Sequence, residues 1–180
     1  MNLCGSDLAE ANLSDANLSC AWLRRANLSG ANLSRARLNA DLSGAELCGA
    51  EFNGADLECA DFVEANLRGA KLSGACFGET DFSKANLFEV DLSGVFLHAV
   101  VFHKANLRGA KLVGAELVDA DLSDADLSWA DLSGACLWGA NLSDADLSGA
   151  NLCNVKMFET DLGGADLTGD ATDSDEPDEW

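Results

Sequence analysis

A large apolar residue returns at every fifth position of this chain: Leu3, Leu8, Leu13 and onward to Leu38, then Leu42, Leu47, Phe52, Leu57, Phe62 and so on to Leu167. Only Met157 departs from Leu or Phe. Two positions before each stands a small residue, usually Ala, and between them an Asp or Asn. On an α-helix five residues advance about 500°, so successive leucines drift by about 140° and never form a stripe. On an extended backbone, residues i and i−2 share a face. The Ala and the Leu therefore point inward together, the Asp or Asn and the following Ser-Gly pair point outward, and each five-residue unit is one short side of a coil followed by a turn.

The larger side chains report the length of a coil. Phe62, Phe82 and Phe102 recur at a lag of twenty, which also aligns Asn66, Asn86 and Asn106 on the outer surface. Twenty residues are four units, so the pattern predicts a four-sided tube. The octapeptide ANLRGAKL at 65–72 repeats at 105–112, two whole coils later. One column then reads Glu51, Lys71, Asp91, Lys111, Asp131, with each Lys between acids, an arrangement that stabilises paired strands by a few tenths of a kcal/mol up to ~1 per pair. Leu38 and Leu42 are only four apart, which predicts a tightened corner or small kink around Asn39 and Ala40 and no domain break.

The motif A-(D/N)-L-x-x, present as Ala11-Asn12-Leu13, Ala31-Asn32-Leu33, Ala120-Asp121-Leu122 and Ala140-Asn141-Leu142, closely resembles that of the pentapeptide-repeat family, and the resemblance covers residues 1–169. It implies an all-β fold, a right-handed quadrilateral β-helix (solenoid) with four pentapeptides per 20-residue coil and about 8.5 coils. The central Leu or Phe would stack in ladders and the preceding Ala would fill the corners. From residue 170 onward the motif is gone, and residues 170–180 read as a disordered acidic tail.

A tube filled by its own leucines has no room for a buried cofactor or substrate, so function is expected on the outer surface or at the ends, without a cofactor. The seven cysteines include no CxxC pair and read as reduced thiols. A metal site needs three or four converging ligands, and Cys76 and Cys136 lie in one column but three coils, about 14 Å, apart. His98 and His103, the two histidines, point outward with no obvious partner, and no Cys–His or Ser–His pair suggests a nucleophile. The N-x-S triplets at Asn12, Asn17, Asn27, Asn32 and Asn141 are by-products of the repeat. A net charge of −20 disfavours direct binding to nucleic acid or to an anionic membrane. No apolar run reaches the ~18 residues of a transmembrane helix, and without a charged-then-apolar leader the expected location is cytoplasmic.

Two surfaces stand out from the idealised repeat. In residues 80–106 the inward small positions become Thr80, Val90, Val95 and Val100, and outward positions become apolar at Phe88, Phe96 and Val101. With His98, His103, Arg68, Lys71, Arg108 and Lys111 these make a candidate interaction patch of apolar residues rimmed by charge. The outward Trp22, Trp129 and Trp138 are too dispersed to form a patch of their own. The second surface is acidic. Residues 1–111 carry 14 acidic and 10 basic side chains, whereas residues 112–169 carry 11 acidic and one basic, Lys156. Over roughly 14 Å this is about 0.7 negative charges per ångström, against about 0.6 for duplex DNA.

Three functions compatible with these features are expected, in this order. The first is a non-enzymatic scaffold for an unknown protein partner. The second follows from the resemblance, because some members of the family mimic double-stranded DNA and occupy the DNA-binding saddle of DNA gyrase. Here Asp121, Asp126, Asp131, Asp144, Asp146 and Asp166 would stand in for phosphates, although the dimerisation helix and projecting loops usual in those proteins are absent from this sequence. The third is a structural rod that assembles end to end, as a homodimer or longer. An enzyme comes last, for want of a cleft or a catalytic constellation.

Overall fold

Successive turns of the chain meet at the Asp or Asn of each repeat. In the computed structural model, which describes residues 1–170, isolated parallel β-bridges join these positions at a lag of twenty: Asn66 to Asn86, Asn86 to Asn106, Asp126 to Asp146. Four bridging positions occur per lag, so four columns run along the molecule. The first passes through Asp81, Val101, Asp121 and Asn141; the second through Asn86, Asn106, Asp126 and Asp146; the third through Lys71, Asp91, Lys111 and Asp131; the fourth through Phe96, Glu116, Cys136 and Lys156. Each bridge is a single residue wide because a turn follows at once, and among the described residues there is no helix. The acidic tail expected from residue 170 lies, beyond Asp170 itself, outside the described residues.

Local chemistry explains the repeat's outward positions. The Asp or Asn side chain accepts the backbone N–H two residues on, as in Asp126 Oδ1 to Ser128 N at 3.0 Å and Asn141 Oδ1 to Ser143 N at 3.0 Å. This is an Asx-type turn, and both residue types form it equally. The second turn residue adopts a left-handed backbone, φ 69° at Gly134, which glycine reaches without strain. The same conformation is forced on Trp129 at φ 62°.

The interior is a stack of central side chains. The central leucines and phenylalanines from Leu23 through Leu147 are fully buried, and the small residues two positions before them are buried with them. Phe62, Phe82 and Phe102 stack nearly parallel, with ring centroids 4.9 and 5.3 Å apart. Outside, asparagines form a ladder of their own, Asn106 Nδ2 donating to Asn86 Oδ1 and Asn86 Nδ2 to Asn66 Oδ1, each at 3.2 Å.

At the short repeat, Trp22 bridges Asp41 and Arg37 bridges Asp56, a lag of nineteen. The bend at Asn39 and Ala40 omits one turn residue, and Asn39 Nδ2 donates to the Glu58 carbonyl of the next coil at 2.6 Å. The ladder resumes on both sides, so the missing residue is absorbed in one corner.

A second irregularity was not anticipated. Leu57 N bonds to Cys76 O and Leu97 N to Glu116 O, as the pattern requires. Between residues 69–79 and 88–98 the equivalent bonds fall outside ordinary hydrogen-bond geometry, including Gly74 N to Ser93 O and Phe77 N to Phe96 O; the Lys71–Asp91 bridge persists there, with its two bonds, Leu72 N to Asp91 O and Asp91 N to Ala70 O, weakened. The bridge expected between Cys76 and Phe96 is missing too. A surface depression of about 450 Å³ opens there, lined by Ala70, Lys71, Leu72, Asp91 and Val95 among others. Ala70, Ala75 and Val95 are 6, 7 and 8% exposed, where most inward small residues are at 0 or 1%. Val90 and Val95 face Ala70 and Ala75 across this gap, and Phe77 adds bulk beside Phe82 at 6.0 Å. The same valines meet the following coil at ordinary ladder distances, Lys111 N to Val90 O at 2.9 Å and Glu116 N to Val95 O at 3.0 Å, so their volume alone does not part the coils.

Ion pairs decorate the ladders. Arg35 clasps Asp15 through two contacts of 2.7 Å, Lys71 Nζ meets Glu51 at 2.6 Å, and Arg24 pairs with Asp41. The Arg35 hydrogen bond holds the Asp15 carboxyl below its ordinary range. Bonds from the Ser93 hydroxyl and N–H, with Lys111 nearby, do the same for Asp91. At Asp41 burial pushes upward, and the Ser43 and Arg24 hydrogen bonds together outweigh it. A carboxylate with a depressed folded pKa contributes stability above its unfolded value, near 4, and loses it as pH falls through the folded value. Arg35→Gln should therefore move the acid-unfolding midpoint to higher pH, measured by circular dichroism; an unchanged midpoint would show that the Asp15 pair adds nothing.

Candidate functional site

The columns decide which of the expected residues share a surface. Arg68, Phe88 and Arg108 lie in one corner column, with the Arg68 guanidinium 5.3 Å from the Phe88 ring centroid, a cation–π contact. Beside them the third column carries Lys71, Asp91 and Lys111. These form one basic side. Phe96 and His98 lie around the next corner, their ring centroids 6.3 Å apart, and Val101 and His103 lie beyond, with Val101 in the first column. The nine residues of the expected patch therefore do not make one surface. Phe88 and Val101 are half-buried, while Phe96 is 70% exposed.

His103 is also better connected than its sequence position suggested. Its Nδ1 lies 2.9 Å from Ser123 Oγ and 3.7 Å from Asp124 Oδ2, and Lys104 Nζ lies 4.0 Å from the same carboxylate oxygen. Serine and aspartate both approach the one nitrogen, so the group is not the relay of a nucleophile, whose base needs one nitrogen for each neighbour. Among the described residues, no three or more His, Cys, Asp or Glu side chains group so as to hold a metal ion. In the fourth column, Phe96 and Glu116 separate Cys76 from Cys136. No helix among the described residues is long and apolar enough to cross a membrane.

The acidic residues also divide. Asp126, Asp146 and Asp166 bridge one another in the second column, Asp121 lies in the first, and Asp144 occupies the corner between, folded over Gly164. Asp131 lies in the third column with Lys111 and faces elsewhere. Asn141 Nδ2 donates to Asp121 at 3.2 Å and Asn151 Nδ2 to Asp131 at 3.0 Å, so those two acids are compensated. Asp126, bridged to Asn106 on its other side, is followed along its column by Asp146 and Asp166.

One surface escaped the sequence reading. Ala99 N bonds to Val118 O, Asp119 N to Trp138 O and Gly139 N to Phe158 O, which stacks His98, Val118, Trp138 and Phe158 in one corner column. Trp138 is 49% and Phe158 63% exposed, and Phe96 stands beside His98 at the column's start. Applying the lag of twenty to turn positions, as well as to central ones, finds this stripe.

A model of pentapeptide repeats matches residues 2–35, 31–74, 65–103, 101–139 and 139–169. Among solved structures, HetL, a protein involved in heterocyst differentiation regulation from the cyanobacterium Nostoc sp. strain PCC 7120, is 34% identical over 98% of this chain and 91% of its own, at a TM-score of 0.42. A pentapeptide repeat protein of the Arabidopsis thaliana thylakoid lumen is 39% identical over 50% of this chain and 59% of its own, at 0.40. QnrB1, a plasmid-mediated fluoroquinolone resistance protein, is 26% identical over 91% and 77%, at 0.39. Comparison with curated proteins returned no significant match. With its five-residue motif, its inter-coil ladder and a family match that runs from residue 2 to residue 169, the chain belongs to the pentapeptide repeat family.

Proposed function

We propose that residues 1–169 form one right-handed quadrilateral β-helix of about 8.5 coils, and that it acts without catalysis as a protein–protein interaction scaffold in the cytoplasm. The observation that carries this reading is the division of labour between inside and outside. The chain's own Leu and Phe side chains occupy the interior, while Phe96, Trp129, Trp138 and Phe158 stand in solvent. Large exposed aromatics are the residue types that anchor protein interfaces. A photo-crosslinking residue placed in turn at Arg108, Trp129 and Trp138 should give a discrete protein adduct in native cells from at least one position. No adduct from any of the three would overturn the scaffold.

A second reading is favoured by Asp126, Asp146 and Asp166. Asparagine would close the same turn and add a ladder hydrogen bond, as Asn106 does on Asn86, yet three carboxylates stack one coil apart. Like charges directly opposite on paired strands cost stability. Such a cost is expected where the acids imitate a phosphate backbone, with DNA gyrase as the candidate target. Asp146→Asn should raise stability by a few tenths of a kcal/mol up to about 1, read by urea titration, and should weaken any effect on gyrase supercoiling. Wild-type protein without influence on supercoiling or on quinolone-induced cleavage at micromolar concentration would remove the mimic.

A further inference from the structure

We infer that the corner stripe of Val118, Trp138 and Phe158, opened by Phe96 and His98, is a docking surface for a basic amphipathic helix of a protein partner. The inference rests on the scaffold reading and adds to it the place and the chemistry of the partner. Two observations select a helix with a cationic edge.

The first is spacing. Backbone bonds hold Val118, Trp138 and Phe158 one coil apart, a step of about 4.8 Å set by strand pairing. A helix laid along the rod presents a new apolar side chain every turn, about 5.4 Å. Over the two steps from Val118 to Phe158 the two rulers differ by only about 1.2 Å, less than the reach of a rotamer change. An extended peptide laid the same way repeats its facing side chains at about 6.6–6.8 Å and falls out of step by about 4 Å over the same distance.

The second is charge. The next position of the same corner carries Asp119 and Glu159, and the first column beyond carries Asp121 and Asp161. On the other flank the fourth column carries Glu116, Cys136 and Lys156, which is neutral overall. The stripe is therefore acidic along one edge only. A helix with apolar residues at i, i+4 and i+7 and Lys or Arg along one side satisfies both edges, and the asymmetry fixes which way it lies. A second copy lying antiparallel does not suit, because the same acidic edge would meet itself, and one lying parallel would offer that edge only the neutral flank of Glu116, Cys136 and Lys156. An anionic membrane is repelled for the same reason.

The probe is a synthetic helical peptide with leucines at i, i+4 and i+7 and lysines along one flank, titrated calorimetrically against the full chain. Binding to wild type is expected to weaken at least tenfold in the double variant Trp138→Ser, Phe158→Ser, and severalfold in Asp119→Asn, Glu159→Gln. It should be unchanged in Asp126→Asn, Asp146→Asn, which removes as much charge from another side. A cooperative melting transition verifies that each variant is folded. No peptide binding, equal binding to the double serine variant, or equal weakening by the second-column variant would each overturn the inference, the last by showing charge attraction alone. Binding to zwitterionic vesicles that competes with the peptide would overturn it in favour of a lipid surface. None of these outcomes touches the scaffold reading, which stands or falls on crosslinks at Arg108 and Trp129 as well.

Discussion

Phe82→Ala should cost about 3–5 kcal/mol, the range for deleting a fully buried aromatic, because it removes the middle ring of a continuous stack. Phe82 lies 4.9 Å from the Phe62 centroid and 5.3 Å from that of Phe102, with Phe77 at 6.0 Å, so one substitution forfeits three ring contacts and leaves a cavity between coils. In a solenoid each coil rests only on its neighbours, and the loss is expected to split the urea transition, with the halves on either side of residue 82 unfolding separately. Far-UV circular dichroism and tryptophan emission, following the two ends, measure this. The contrast is Phe96→Ala, at a side chain 70% exposed, which should stay within about 0.5 kcal/mol of wild type. A cost at Phe82 below about 1 kcal/mol would mean that the neighbouring coils collapse onto the gap.

The amides of Phe77 and Phe96 should exchange hydrogen roughly a hundredfold or more faster than those of Phe52, Leu57, Leu92 and Leu97. The latter donate to the next coil at 2.7 to 2.9 Å, and their exchange must wait for the ladder to open. The former have no such acceptor, at the position where the bridge between Cys76 and Phe96 is lost. Since each tenfold corresponds to about 1.4 kcal/mol of opening free energy, the difference places a weak seam in the fourth column of an otherwise continuous ladder. Equal protection of the two sets, resolved amide by amide by NMR, would show that the ladder closes there in solution.

Much of this architecture was legible in the chain because its code is local. A residue's place in A-(D/N)-L-x-x sets which way it points, so the inward Leu and Ala and the outward Asp and Asn follow from counting. Adding the lag between phenylalanines puts Lys71 beside Glu51 and Asn86 beside Asn66, and the Lys71 ion pair and the asparagine ladder occur where that lag places them. The candidate surfaces were less legible. The patch around residues 80–106 was assembled by proximity in sequence, whereas a coil spends twenty residues going round, so Arg108, Phe96 and Val101 face three different ways. The aromatic stripe was overlooked for the complementary reason, since its members are twenty residues apart and no window of the sequence contains two of them.

The five-residue pattern alone settled the direction of nearly every side chain, since alternation along an extended backbone depends only on neighbours. The widened seam and the corner stripe were decided by the packing of one coil against the next. Val95 meets Ala115 at ladder spacing but not Ala75, and Trp138 stands between Val118 and Phe158; such contacts are made across a whole turn of chain, where a pattern of near neighbours has no reach.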